Sequence, residues 1–175
     1  AWMLRDVLAG DIYVGAPPDM YNQQGQDWSQ PPFRPDRLAE QGYAPLRDMV
    51  RTVLRHAGAL RVDHIMGLFR LWWIPAGRSP EEGTYVRYDH EAMVGVLALE
   101  AHRAGAMVIG EDLGTVEPWV RTYLQERGVL GTSVLWFERE DDGRPLPPEQ
   151  YRRLVLGTVT THDLPPTAGY LAEEH

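Results

Sequence analysis

Apolar and polar positions trade places along the chain in two rhythms. Leu46, Met49, Val50, Val53, Leu54 and Ala57 recur at helical spacing, with Arg47, Asp48, Arg51 and Arg55 on the other face. Pro45 suits the first turn of that helix and Gly58 its far end as a C-cap. Leu60 and Val62 then alternate with Arg61 and Asp63, which predicts a strand that ends in a charged cluster, Arg61, Asp63 and His64. Asp89 is the expected N-cap of a second helix carrying Met93, Val94, Leu97, Ala98 and Ala101, which runs out at Gly105. Ala106 to Ile109 is a four-residue apolar run of the buried parallel type, and it ends in Gly110-Glu111-Asp112. Gly114 turns the chain into a third helix, with Trp119, Val120, Tyr123 and Leu124 on one side, ending near Gly128. Ser133 to Phe137 reads as a third strand; Leu154 to Thr160 reads as a fourth, followed by Thr161-His162-Asp163.

The N-terminal part has no such rhythm. Trp2 to Tyr13 is weakly patterned, and Gly15-Ala16-Pro17-Pro18-Asp19 stops any regular element, because adjacent prolines remove amide donors and restrict the residue before them. Asp19 to Arg37 reads as a long loop of Gln, Asn, Pro and Gly with Trp28 and Phe33 among them, and loops of that length are usually functional or disordered. Aromatics among amide side chains favour a binding loop. Trp72 and Trp73, in a strongly apolar run, are read as core packing, and RSPEEGTYVRYD as a connecting loop.

Strand, acidic strand end, helix, strand is an α/β pattern of parallel strands joined by right-handed crossovers. A doubly wound open sheet would satisfy it. Carboxylates at three separate strand ends favour instead a portion of a (β/α)8 TIM barrel, whose functional groups gather at the C-terminal face. Four strands make half a barrel and leave two unpaired edges. Ala1 opens in mid-pattern and TAGYLAEEH reads as a helix getting under way, so the chain is read as an excerpt, inactive by itself and needing the remainder of its own barrel.

Composition narrows the partners. The 175 residues carry 17 Lys plus Arg against 25 Asp plus Glu, a net charge of -8, which disfavours nucleic acid and anionic membranes and suits a neutral substrate. Cysteine is absent, excluding disulfides and thiolate metal sites. No apolar run reaches the roughly 18 residues that span a bilayer, and the N-terminal residues lack the sections of a signal peptide, so a cytoplasmic protein is expected.

Asp63, Glu111 and Asp163 are three acids at strand ends. Two carboxylates flanking an acetal are what glycosidic bond cleavage requires, one to protonate the leaving oxygen and one to attack or to activate water. Arg61, two residues before Asp63, shares its strand face and would hold it ionised and aimed, casting Asp63 as nucleophile. Glu111, between an apolar strand and Gly110 with no basic residue nearby in sequence, is the better proton donor. A metal site of Asp63, His64, His162 and Asp163 ranks lowest because Arg61 opposes a cation there, and no cofactor is called for.

The order ALRVDH, IGEDLG, THDLP, with GAPPD and GQDW upstream, resembles the 4-alpha-glucanotransferases known as amylomaltases or disproportionating enzymes, of the larger bacterial type, within the α-amylase clan. The resemblance covers nearly the whole chain. It implies about the fourth to seventh strands of a catalytic barrel over residues 1–175, with 15–43 a substrate-covering loop region. By resemblance Asp63 is the nucleophile, Glu111 the acid/base and Asp163 the transition-state stabiliser. Arg61, His64 and His162 would contact the sugar or the nucleophile, Asp19, Gln26 and Trp28 the glucan under the loop, and Phe137 a donor-side sugar. Met20 stands where some relatives carry an aromatic, and Ser29 where glycine is common.

The resemblance implies transfer between maltooligosaccharides and α-1,4-glucans through a covalent intermediate. An α-glucan hydrolase differs only in that water takes the second step, and the acids cannot separate the two. A lid that excludes water favours transfer. A non-catalytic carbohydrate-binding remnant would keep the acids for hydrogen bonds alone.

Overall fold

Backbone pairing divides the chain into an antiparallel part and a parallel part. The structure, a computed structural model, describes residues 4–20 and 22–172. In chain order its strands are β1 (Ile12–Ala16), β2 (Gln26–Gln30), β3 (Ala59–Val62), β4 (Arg70–Pro75), β5 (Thr84–Arg87), β6 (Met107–Gly110), β7 (Val129–Val134) and β8 (Val155–Thr158). The helices are α1 (Pro35–Glu40), α2 (Ala44–Leu54), α3 (His90–Ala104), α4 (Pro118–Glu126) and α5 (Thr167–Leu171). They form a mixed α/β fold in two units, Ala1–Gly58 with Ile65–Ala106, and Ala59–His64 with Met107–His175. No helix among the described residues is long and apolar enough to cross a membrane.

The first unit contains an antiparallel sheet in the order β2-β1-β4-β5. The β-branched and aromatic residues of β4 suit a pleated surface, and Ile74, next to its last residue, is wholly buried. Gly15 lets β1 and β2 approach, since a Cβ there would lie 1.9 Å from the Gln26 carbonyl oxygen and 2.6 Å from Ile74 Cδ1. Across the hairpin Val14 faces Gln30 while Gly15 faces Asp27, so Trp28 and Ser29 bulge out of the ladder. The expected loop of 15–43 is thus partly strand. β2 has no apolar alternation and all five of its residues are exposed, so pairing with β1, not its own pattern, makes it a strand. The connecting loop read at RSPEEGTYVRYD likewise contains β5, which pairs with β4, the apolar run of Trp72 and Trp73, and the two strands interrupt the β/α rhythm.

The helices of this unit follow their patterns closely. Leu46, Val50 and Leu54 of α2 and Met93, Val94, Leu97 and Ala101 of α3 are buried. Met49 and Val53, counted on the apolar face of α2, are instead exposed. α2 ends at Leu54, with the Arg55 amide returning to the Arg51 carbonyl, so Gly58 does not cap it. Asp89 caps α3 by accepting the Ala92 amide at 3.0 Å, and Gly105 closes it at φ 62°. Glu100 of α3 is 3% exposed and accepts from Arg51 (Nε–Oε2 2.5 Å, Nη2–Oε1 3.0 Å) and Arg103 (2.9 Å). The Arg51 hydrogen bond holds its carboxyl below the usual range against the opposing effect of burial.

The second unit is a parallel sheet in the order β3-β6-β7-β8. Val120 and Leu124 of α4 are buried, while Trp119 is exposed with its ring edge-on to Tyr123 at 6.3 Å. The third strand of the sequence reading is displaced. β7 begins at Val129 as soon as the chain leaves α4, and Leu135–Phe137 is a 3-10 turn with Leu135 and Phe137 exposed. Thr132 and Ser133 are nevertheless buried, because their polar atoms find partners: Thr132 Oγ1 donates to the Gly110 carbonyl at 3.1 Å, and Ser133 Oγ meets Glu138. β8 is shorter than expected, opening after Leu154, which sits at φ 57°.

Gly15→Ala is expected to lower stability by about 1–3 kcal/mol through this overpacking, read as a lower urea midpoint with an unchanged slope.

Candidate active site

Parallel pairing brings the first two acids level. Leu60 faces Val108, Arg61 faces Ile109 and Val62 faces Gly110, so the register carried one residue further sets Asp63 beside Glu111. The Glu111 amide donates to the Val62 carbonyl at 2.9 Å, extending the ladder past the strand ends. His64 then takes up φ 46°, an uncommon left-handed conformation for a side-chain-bearing residue. Its amide donates to Glu111 Oε2 at 2.9 Å, and the Leu113 amide donates to Glu111 Oε1 at 2.7 Å. Both oxygens of Glu111 are therefore held by main chain. Arg61 Nη1 lies 2.5 Å from Asp63 Oδ1, as the shared strand face predicts. Asp63 remains open to water, its side chain 61% exposed.

The third acid is placed differently from its expected strand end. Asp163 lies five residues beyond Thr158, in the segment after β8, with its side chain 77% exposed. His162 Nε2 is 3.4 Å from Asp163 Oδ2, and the Asp163 amide donates to Thr161 Oγ1 at 3.3 Å. Phe137 follows β7 at the same end of the sheet and is 57% exposed.

The remaining residues expected to contact sugar belong to the other unit. Asp19 accepts the Asn22 amide at 2.6 Å and donates its own amide to the Asn22 carbonyl, closing a tight turn. Gln26 and Trp28, on β2, are joined by a 2.9 Å bond from the indole Nε1 to Gln26 Oε1. Ser29, after Trp28, sits at φ 55°, where glycine is unstrained. Trp72 and Trp73 are half-buried, Trp72 donating to the Pro80 carbonyl at 2.9 Å and meeting Tyr85 edge-on.

One carboxylate escaped the sequence reading. Asp112 follows Glu111 but is 3% exposed. Its Oδ1 accepts the Thr132 amide (2.9 Å) and Arg152 Nη2 (2.9 Å), its Oδ2 accepts Arg152 Nη1 (2.5 Å), and Arg121 Nε stands 3.4 Å away. Gly131 makes room for this pairing, because a Cβ there would lie 2.8 Å from Arg152 Nη2. Burial by itself would push the Asp112 carboxyl up; the Arg152 pairing, the Thr132 amide and Arg121 outweigh it and hold the group below the usual range. The signal was the adjacency, since neighbouring residues of an extended chain point opposite ways. Arg152 is 40 residues further on and carried no signal.

A family model described as 4-alpha-glucanotransferase matches residues 1–175. The chain belongs to the 4-alpha-glucanotransferase family. Within this family it is 69% identical over 176 residues to the 4-alpha-glucanotransferase of Mycobacterium tuberculosis, covering 98% of this chain and 24% of that protein. The Haemophilus influenzae 4-alpha-glucanotransferase is 40% identical over 164 residues, covering 94% and 23%. This member of the family thus spans about a quarter of the length of these relatives. The crystal structure of amylomaltase from Corynebacterium glutamicum superposes with a TM-score of 0.93 at 64% identity, over 99% of this chain and 25% of that one. The fold is shared more widely: amylomaltase from Streptococcus agalactiae, solved in complex with acarbose, gives a TM-score of 0.80 at 20% identity, over 93% and 34%.

The depressed Asp112 carboxyl fixes the sign of a pH effect. A carboxyl lowered on folding contributes stability above its unfolded value, near 3.8, and loses it as pH falls through the lower folded value. Asp112→Asn is expected to cost about 3 kcal/mol at pH 7, and the gap between urea midpoints of variant and wild type should begin to narrow only below about pH 4 and close as pH falls through the lowered folded value.

Proposed function

We propose that the protein transfers α-1,4-glucan segments from a donor maltooligosaccharide to the 4-hydroxyl of an acceptor glucan or glucose, with retention of configuration and without cofactor or metal. The observation that carries this is the pairing of Asp63 and Glu111 at level ends of neighbouring parallel strands, joined through the His64 amide. Neighbouring strands run about 4.8 Å apart, close to the ~5–5.5 Å carboxyl separation that retention uses. Family membership supports the same reading. In it, residues 1–175 are part of a (β/α)8 catalytic barrel, β3, β6, β7 and β8 being about its fourth to seventh strands. Its place of work is the cytoplasm.

The proposed chemistry is a double displacement. Glu111 protonates the leaving glycosidic oxygen as Asp63 attacks the anomeric carbon, giving a glycosyl-enzyme ester. Glu111, now a carboxylate, takes the proton of the acceptor 4-hydroxyl, which displaces Asp63. Arg61 aims Asp63 by its hydrogen bond, and Asp163 steadies the positive charge that develops on the sugar ring. A protonated Glu111 donates from one oxygen to the glycosidic oxygen, while its remaining lone pairs still accept the His64 and Leu113 amides that orient it. His64, His162 and Phe137 bind sugar near the cleavage point, and Asp19, Gln26 and Trp28, within 15–43, supply further glucan contacts through the exposed indole face and the acceptor oxygens.

Incubating the full-length protein with maltotriose should give glucose and a ladder of longer maltooligosaccharides at constant total reducing ends. Asp63→Asn should abolish the ladder, and Glu111→Gln should cut kcat by roughly 10²–10⁴-fold. A rise in reducing ends without longer products would make the protein a hydrolase, glucan binding with no turnover in the wild type would leave it a binding protein, and unchanged turnover in Asp63→Asn would remove Asp63 from the role of nucleophile.

A further inference from the structure

The main chain on both sides of Glu111 is held by an ion pair with a buried carboxylate, Asp112–Arg152, and by its attachments. Before it, the Gly110 carbonyl accepts Thr132 Oγ1 at 3.1 Å. After it, the Asp112 carbonyl accepts Arg121 Nη2 at 3.1 Å. The Asp112 carboxylate draws in Arg152 and the Thr132 amide, and Arg152 Nη2 also donates to the Thr132 carbonyl at 2.7 Å. Asp112 therefore ties the end of β6 to β7, to α4 and to the segment that leads into β8. Glu111 is the residue between the two held carbonyls.

We infer that Asp112 is a positioning residue for Glu111: by clamping the backbone at the end of β6, it leaves the acid only side-chain torsions with which to reach the glycosidic oxygen. The inference rests on the reading of Glu111 as proton donor. Proton transfer in the transition state needs the donor within hydrogen-bond reach of the leaving oxygen, and a displacement of about 1 Å costs on the order of 10²-fold in rate. A carboxylate is suited to the clamp because it takes a bidentate guanidinium and a backbone amide together. Asn offers one acceptor and turns an N–H toward Arg152.

A donor whose leaving group needs no proton separates positioning from mere support. Fluoride leaves α-maltosyl fluoride without protonation, so fluoride release in a single turnover reports attack by Asp63 alone, whereas release of the first product from maltotriose also needs Glu111. In the full-length protein, Asp112→Asn is expected to lower kcat on maltotriose by roughly 10²-fold, with KM within about twofold and a displaced basic limb of the kcat pH profile, and to leave single-turnover fluoride release near wild type. Arg152→Lys breaks the bidentate pair from the other side and should show the same split, which keeps the test open if Asp112→Asn does not fold. Equal losses on both donors, or no loss on either, would overturn the inference. Glu111→Ala, run alongside, should keep fluoride release and lose maltotriose turnover; loss of both would overturn instead the role given to Glu111.

Discussion

Placing the Asp112 carboxylate out of water at the end of β6 demands compensation, and the second unit is arranged to provide it. A buried, uncompensated carboxylate would cost several kcal/mol. Here the charge is met by the Arg152 guanidinium, the Thr132 amide and Arg121, from three different parts of the chain. Thr132 can be buried only because it serves this cluster and the Gly110 carbonyl, and Gly131 is bare where the guanidinium enters. The beginning of β7 is thus set by the needs of its neighbour as much as by its own apolar residues.

The three acids given to the chemistry contrast with this. Asp63 and Asp163 are largely open to water, with side chains 61% and 77% exposed. Burial and a displaced titration often flag working groups, yet here they flag Asp112, whose contacts are all within the protein. Exposure is what leaves Asp63 and Asp163 able to meet a ligand. Glu111 lies between these extremes, half-buried and held at both oxygens by amides. Two carboxylates adjacent in sequence thus differ in setting, one half-buried and held by amides and one facing the interior.

In the first unit, close approach plays the part that charge plays in the second. β1 and β2 meet at Gly15, and the ladder then slips so that Trp28 and Ser29 stand out of register. Bulges re-aim side chains, and this one turns out an indole already hydrogen-bonded to Gln26. The positive φ of Ser29 sits in the same slip, a conformation in which glycine would be unstrained.

Local pattern determined the helices and the charged strand ends. α2, α3 and α4 lie close to where 3.6-residue spacing puts them, Asp89 and Gly105 bound α3 as their chemistry requires, and Arg61 reaches Asp63 because residues two apart share a strand face. These depend only on neighbours in sequence. Pairing partners decided the rest. β2 is a polar segment made into a strand by β1, β7 starts at Val129 because Val108 and Ile109 are there to receive it, and β5, paired with β4, turns expected loop into sheet. Tertiary structure alone could level Asp63 with Glu111 and bring Arg152 to Asp112 across 40 residues, because the register of a parallel ladder and the neutralisation of a buried charge are properties of segments that meet only after folding.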